Sequence, residues 1–591
     1  MKRDTIFRRL FLQLLAINIL TGLIQPFNQF VDNALTGMGL GTDALKAYAL
    51  FLPLGALAFA LSFVFSIGTQ ISCSHRIGKG KIEEGRNLFA TSLLITLIFS
   101  AVFSFALFIF SDNIALLLGR GSEEVVNTAG TASFIRGYSI GLVPMFLLSV
   151  MLILMQIEGK KIFVTVSSLS IFVINLSSDL LNLYVFKAGL FGMALATSIS
   201  YIVVFIFVLY YFLFKSKMFR LTSCKLSIVG LRDVVKNGIP SLTYYGSLVI
   251  RSYVFNWLII TRLDGDTLAI MTVVNSFVTL VDAFIGGTGD VTLLLGGVVY
   301  GERDKNAAKR LLRIAVISGT SILLLITLAT IIFANPIAMI FLEKGTETLV
   351  SGATRALCIT SLCFVPDVIA CVLKKYIQSV GRSLYTSVSN ILCNVVYVCG
   401  FAIVLVDWMG TDGLFLSFLA CYVLSLVTHI IYAFIVSAKE GTPKCDMFLY
   451  LPKDYTGDHE HVYEVPVNNM DEATAAFMAV GEFCRKCNLS QRICYHISLF
   501  VEEITCNIIN YGFNKNGRNT IFIRVVVTET RVALFVKDNC MYFDPKHYYE
   551  SLTEKSDVTK DIGIRIVMSL ADKVTYTNRF NMNHLMIEIP V

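Results

Sequence analysis

Charge is scarce in this sequence. Asp, Glu, Lys and Arg make up 15% of its 591 residues, while 55% are hydrophobic. A soluble domain carries about 25% charged residues, so one large soluble enzyme is excluded. The shortage lies before about residue 438, where charges cluster briefly between apolar runs of about 20 residues, the length a helix needs to cross hydrocarbon. A disulfide framework is also missing: the 14 cysteines are mostly scattered singly through apolar stretches, as packing residues. Cys484 and Cys487 form a CxxC with no second pair nearby, which reads as two helix residues and not as a zinc site. No GxxxxGK[ST] loop occurs, so ATP hydrolysis at such a loop does not power the protein. The N-terminal "MKRDTIFRRLFLQLLAINIL" lacks a small-residue cleavage site, and its apolar run is too long for a signal-peptide core; it reads as a first spanning helix. The net charge of +7 sits between apolar segments, where orientation signals belong, so no nucleic-acid partner is expected.

What is present is a series of spans. About twelve are expected, near 10–34, 45–70, 88–110, 132–155, 163–186, 191–214, 238–260, 268–298, 313–333, 354–376, 385–406 and 412–436. Alternate loops hold the basic residues: Lys2 to Arg9, Arg76 to Arg86, Lys160/Lys161, Lys215 to Lys236, Arg303 to Arg313, and Lys374/Lys375/Arg382. By the positive-inside rule both termini are expected in the cytoplasm, with the protein multi-pass in the cytoplasmic (inner) membrane.

The spans repeat. "GTDALKAYALF" from Gly41 matches "DGDTLAIMTVV" from Asp264, and "IGKGKIEEGRNLF" from Ile77 matches "YGERDKNAAKRLL" from Tyr300. Asp43 to Asp266 and Gly78 to Gly301 are each 223 positions apart, and a Gln-x-x-Gly recurs at Gln156 and Gln378. Six spans per half make a parallel repeat, which secondary transporters use with a substrate site between the halves. The expected architecture is therefore an all-α polytopic membrane protein of two parallel six-helix halves, 1–223 and 224–437. A polar linker over 438–458 follows, then an α/β sandwich over 459–591. In that last part a short strand from His459 is expected first. Helices follow near 471–487 and 490–511, strands near 519–527 and 530–538, a helix near 561–572 and two final strands.

"FVDNALTGMGLGTDALKAYAL" places Asp32 towards the end of the first span, before a Gly-rich loop. A carboxylate in a spanning helix is costly, by about 2.5–3.5 kcal/mol or more, and marks ion pathways. A proton or, through oxygen ligands, a sodium ion could use it; a helix-capping interfacial residue is the plain alternative. With "ISCSHRIGKGKIEEGRN", "NLSSDLLNLYVFKAGLFGMALATSIS" and "NGIPS", this order of motifs resembles the MATE (multidrug and toxin extrusion) family over roughly residues 10–436. The resemblance implies gradient-driven efflux of organic, cationic compounds by alternating access, with H+ or Na+ as the coupling ion. It implies ion-coupling roles for Asp32 and Asp367. Asp179, Asn175, Gln156 and Gln378 join the candidate set, and Asn182, Asp282, Asp290 and Arg251 are further polar residues within spans. One subclass of the family carries an acid in span seven; here that span offers only Arg251.

The tail poses a separate question. In "SLFVEEITCNIINYGF", Glu503 and Asn507 are four apart and share one helix face. "VKDNCMYFDP" then sets Asp538 at a strand end with Phe543 beyond it, and "DIGIRIVMSLADKVTY" sets Gly563 at a helix start. This order resembles the GHKL ATP-binding fold, more closely its anti-sigma-factor serine kinase branch. The resemblance implies a general base at Glu503, Mg2+ at Asn507, adenine recognition at Asp538, and nucleotide contacts at Phe543 and Gly563. Cys540, Tyr542 and Asp561 stand where that family has glycines, and close backbone approach to a nucleotide depends on those glycines. The expected function is a MATE-type exporter with a cytoplasmic regulatory domain that has a regulatory protein partner. The alternative is a membrane-anchored signalling protein whose tail binds or phosphorylates a soluble partner, and a lipid-linked saccharide flippase shares the broad fold class.

Overall fold

Long apolar runs in a membrane must satisfy their backbone internally, so they fold as helices. The computed structural model describes residues 2–119, 128–221, 225–226, 230–263, 265–342, 347–452, 455, 461–513, 519–551 and 562–591. Two compact units emerge. The larger comprises Phe11–Met155 and Lys161–Leu451; the smaller is built mainly of Pro452–Val591, with Met1–Leu10 and Gln156–Lys160.

The helices of the membrane part are α1 (Lys2–Leu40), α2 (Thr42–Gly78), α3 (Ile82–Ile109), α4 (Ser111–Gly119), α5 (Thr128–Ile157), α6 (Lys161–Leu181) and α7 (Gly189–Tyr210) in the first half. The second half holds α8 (Leu231–Arg262), α9 (Gly265–Gly301), α10 (Lys305–Phe341), α11 (Glu347–Ser361), α12 (Phe364–Ser379), α13 (Ser383–Ile391), α14 (Val398–Met409) and α15 (Thr411–Glu440). Wider π-turns extend α6 over Asn182–Phe186 and α7 over Tyr211–Lys215, and Leu392–Tyr397 joins α13 to α14.

The repeat is visible in the helix ends. Both ends of α9 lie 223 positions after those of α2, and α10 begins 223 after α3. The positive-φ turn residues recur as well: Gly159 at φ 78° and Gly381 at φ 82°, both just before the next helix. Where the halves meet, α2 and α9 touch backbone to backbone. A Cβ on Gly301 would lie 2.5 Å from the His75 carbonyl oxygen, and one on Gly78 would lie 2.5 Å from that of Val298. His75 also brings its Nε2 to 2.6 Å from the Ser379 carbonyl oxygen in the other half. This seam therefore needs two glycines at equivalent positions.

Two expectations about spans are refined. Among the described residues ten helices are long and apolar enough to cross a membrane, or eleven if a bent pair counts as one span. The seventh expected span, near 238–260, is α8 and is not among them; it carries Arg232, Asp233, Lys236, Arg251 and Arg262. The single span expected near 354–376 is the bent pair, α11 and α12, turned by 41°. Pro366 stands in the first turn of α12, where a missing N–H costs nothing, so a new helix starts there. The short α4 was not expected at all.

Residues 438–458, read above as a polar linker, begin with ordered contacts inside the larger unit. The turn Lys444–Leu449 buries Asp446, which pairs with Lys305 at 2.5 Å and with Lys309. Burial alone would raise this carboxyl; the two lysines outweigh it and hold it below the usual range. Tyr450 is fully buried, its ring stacked 5.7 Å from Tyr432, which stacks 3.5 Å from Tyr385. Arg382 donates to the Tyr450 carbonyl at 2.7 Å and to Glu440 at 3.0 Å.

The smaller unit holds β1 (His461–Val467), α16 (Met470–Lys486), α17 (Gln491–Asn507), β2 (Ile521–Val527), β3 (Arg531–Asp538), α18 (Pro545–Ser551), α19 (Ile562–Leu570), β4 (Lys573–Arg579) and β5 (Met582–Pro590). Its sheet is antiparallel throughout, in the order β1-β2-β3-β5-β4. Alternate residues of β3 and β5 are buried, as one covered sheet face requires. Asn469 caps α16 by accepting from the Glu472 N–H, and Glu472 reaches back to the Asn468 N–H, a reciprocal capping box. Phe580 and Asn581, both at positive φ, make the two-residue turn from β4 to β5. Val480, Phe500, Val501, Ile523, Leu534 and Ile587 lie in a common core between helices and sheet.

Candidate functional site

Two regions carry chemistry, one in each unit. In the membrane part, α1 and α6 bring Asp32, Asn175 and Asp179 together. Asn175 lies four residues before Asp179, so both share one face of α6. The Asn175 amide donates to Asp32 Oδ1 at 2.7 Å and to Asp179 Oδ2 at 3.0 Å. Asn28, one turn before Asp32, donates to Asp32 Oδ2 at 3.2 Å. One amide group thus bridges two carboxylates. Among the described residues, three buried oxygens here lack a hydrogen-bond partner: Asn175 Oδ1, Asp179 Oδ1 and, one turn beyond Asp32, Thr36 Oγ1. Unpaired buried acceptors beside two carboxyl groups fit a proton or a small oxygen-seeking cation. Asn28 and Thr36 were not singled out in the sequence, although their spacing of four from Asp32 was there to read.

The remaining candidates lie elsewhere. Asp367 sits in the first turn of α12, within electrostatic reach of Asp282 on α9 and Lys374 on α12. Gln378 donates to the Asn237 carbonyl at 3.1 Å, and Asn237 donates to Ser72 at 3.2 Å, so Gln378 ties helices together. Gln156 is buried at the end of α5, where its carbonyl accepts from the Gly159 N–H. Among the described residues neither glutamine bonds to the Asp32 cluster. Asn182 closes a turn, bonding to Gly189 and Ala188, and Asp290 pairs with Lys375 at 2.8 Å.

In the smaller unit, α17 presents Glu503 and Asn507 and α19 presents Gly563 opposite them. A Cβ at Gly563 would run into the Glu503 carboxylate, with its Cδ only 2.7 Å away. Asp538, at the end of β3, is buried. Its Oδ1 accepts from the Cys540 N–H at 2.9 Å and from Asn583 at 2.8 Å, the residue opposite it on β5. Asn583 is itself held, accepting from Tyr576 at 2.6 Å and Asn578 at 2.9 Å and donating to the Met541 carbonyl at 3.0 Å. Burial raises the Asp538 carboxyl against the lowering effect of these bonds, and burial followed by Glu502 raises Glu503. Phe543 is exposed, its ring 5.4 Å from that of Tyr548. Cys540 is buried with its Cβ near Gly512, and Tyr542 sets its ring edge-on to Tyr576 at 5.7 Å. Asp561 lies outside the described residues. Asn507, with phosphate oxygens supplied by a nucleotide, is the residue that would hold Mg2+. A bare protein cage is not needed for Mg2+, which keeps waters and substrate phosphates as ligands.

Comparison with known proteins places both regions. The MatE family model matches residues 18–181 and 247–403. A histidine kinase-like ATPase domain model matches residues 467–588. A curated relative, "Probable multidrug resistance protein YoeA" of Bacillus subtilis (strain 168), is 26% identical over 195 residues, 33% of this chain. That alignment spans only 42% of the relative's own length. Among solved structures, a MATE in complex with MaL6 superposes with TM-score 0.68 at 20% identity, covering 73% of this chain and 97% of that one. An outward-facing MATE transporter of the MOP superfamily gives TM-score 0.67 at 20% identity, covering 73% and 96%. At that identity the likeness is one of fold.

Proposed function

Because this chain belongs to the MatE family, we propose that it is a gradient-driven exporter of small organic cations in the cytoplasmic membrane, carrying its ATPase-like domain as a cytoplasmic regulatory module. The observation that carries the transport reading is the pair Asp32 and Asp179, bridged by one Asn175 amide and flanked by buried oxygens without donors. Two carboxyl groups this close favour uptake of a proton or a sodium ion, which relieves their repulsion. Uptake and release would bias the two halves between their alternating arrangements, since a ligand shifts an equilibrium by its differential affinity for the two states. The alternation of basic loops supports a cytoplasmic location for both termini.

The test is ethidium efflux from proteoliposomes holding the full chain, under an imposed proton or sodium gradient. Asp32→Asn and Asp179→Asn are expected to lose at least about tenfold in rate, as loss of more than about 1.4 kcal/mol implies. Wild-type efflux that ignores both gradients, or survives Asp32→Asn, would sink the reading.

A second reading has its own support in the tail. Glu503 faces Gly563, and Asp538 is held by Asn583, an arrangement suited to a nucleotide in the manner of anti-sigma-factor serine kinases. Bound Mg2+ would neutralise phosphate charge there; Asn507 would hold it, Asp538 would accept from the adenine amine, and Glu503 would accept the proton of a substrate hydroxyl. On this reading the tail binds or phosphorylates a soluble partner.

A further inference from the structure

The halves share a backbone plan but not a charge pattern. Position 28 in α1 is Asn; 223 residues on, α8 carries Arg251. Asp32 corresponds in the same way to the buried Phe255. Lys374 on α12 lies 222 positions after Leu152 on α5. The second half has therefore placed two cations where the first has an amide and a leucine.

How these cations are held is unusual. The Arg251 guanidinium lies 5.5 Å from the ring centre of Phe418, and Lys374 Nζ lies 5.4 Å from that of Tyr244. Among the described residues neither forms an ion pair, whereas neighbouring cations do: Lys375 with Asp290 at 2.8 Å and Arg262 with Asp407 at 2.7 Å. Tyr244 joins the group, standing within electrostatic reach of Arg251, Asp282 and Asp367. A cation among spanning helices is costly unless water, a counter-charge or a ligand reaches it. An aromatic face compensates only part of that. Had Lys374 and Arg251 served only to neutralise Asp282 and Asp367, the four would close into ion pairs as Lys375 and Asp290 do.

We propose that Lys374 and Arg251 form an anion-receiving subsite in the second half, beside the carboxyl groups of Asp282 and Asp367, so that amphoteric compounds are bound in preference to plain cations: a cationic group faces the acids, and a carboxylate or similar anion faces Lys374 and Arg251. The inference rests on the exporter reading above and narrows its substrate class. No charge of either sign is left without a partner when such a ligand is bound.

A matched dye pair tests it: rhodamine 19, a free acid and zwitterion, and rhodamine 6G, an ethyl ester and cation on a closely similar ring system. Fluorescence polarisation with the purified full chain in detergent gives both affinities. The free acid is expected to bind about tenfold more tightly, the factor one charge-assisted hydrogen bond supplies. Lys374→Gln should bring the two dyes within about twofold by weakening the acid alone, and Lys374→Arg should restore the difference. Equal binding of the dyes by the wild type, or an equal loss of both in Lys374→Gln, would overturn the subsite while leaving the exporter intact. Binding of neither dye by the wild type would overturn the subsite, and the ethidium efflux assay decides the exporter reading independently.

Discussion

Gly563 is constrained from two directions. It opens α19 near the expected phosphate position, and the Glu503 carboxylate occupies the place a side chain would take. If the tail binds nucleotide, Gly563→Ala should displace Glu503 and weaken Mg·ATP binding by at least about tenfold, comparable to leaving a charged group mispaired. Isothermal titration of the full chain, with Asn507→Ala alongside, measures it; unchanged affinity in Gly563→Ala would mean that Glu503 does not face the nucleotide. Much of this site was legible because its residues are local signals: an i, i+4 acid and amide, an aspartate at a strand end, a glycine at a helix start. Asn583 and Tyr576 were not legible. Asn583, 45 residues on, meets Asp538 only through strand register, Tyr576 reaches it only by way of Asn583, and nothing in the local pattern announces that pairing. Asp32, Asn175 and Asp179 were each visible, but the amide bridge between α1 and α6 needed coordinates.

Elements were predictable where hydrophobicity and length decided them. The long helices fall where the apolar runs fall, and helices and strands of the tail lie within a few residues of expectation. Short pieces escaped: α4 and α18 have 9 and 7 residues, too few for a period to show. The break between α11 and α12 was hidden because both sides are apolar and only Pro366 marks it. The seam of α2 and α9 is an element-scale device, closed only while Gly78 and Gly301 lack side chains. Gly301→Val should cost the closed seam about 1–3 kcal/mol, the usual range for overpacking. That moves the population of the open form by roughly fivefold to a hundredfold. Spin labels near residues 80 and 303, read as distance distributions, should show a longer distance gaining weight; an unchanged distribution would mean the seam tolerates the methyl groups by local shifts.

At the scale of the molecule, two fold types meet in one chain, and the junction differs from a plain flexible linker. Asp446 is held below the ordinary carboxylate range by Lys305 and Lys309, against its own burial. A lowered carboxyl favours the docked form above its unfolded value of about 3.9 and loses that advantage as pH falls through its lowered one. Hydrogen exchange of the 444–451 amides should therefore stay slow near neutrality and quicken in acid, after correction for intrinsic rates. In Asp446→Asn it should already be fast at neutral pH, and protection equal to wild type there would show that the tyrosine stack alone holds the segment. The composition of this segment, polar with Gly and Pro nearby, gave no hint of it, since an aromatic stack built from Tyr385, Tyr432 and Tyr450 is a tertiary event.

That stack also marks where the larger unit ends along the C-terminal part of the chain. The last residues of the larger unit are Tyr450 and Leu451, both buried, and not the end of α15 at Glu440. An exchange of C-terminal domains therefore has its natural splice at residue 452, because the eleven residues 441–451 that follow α15 belong to the larger unit.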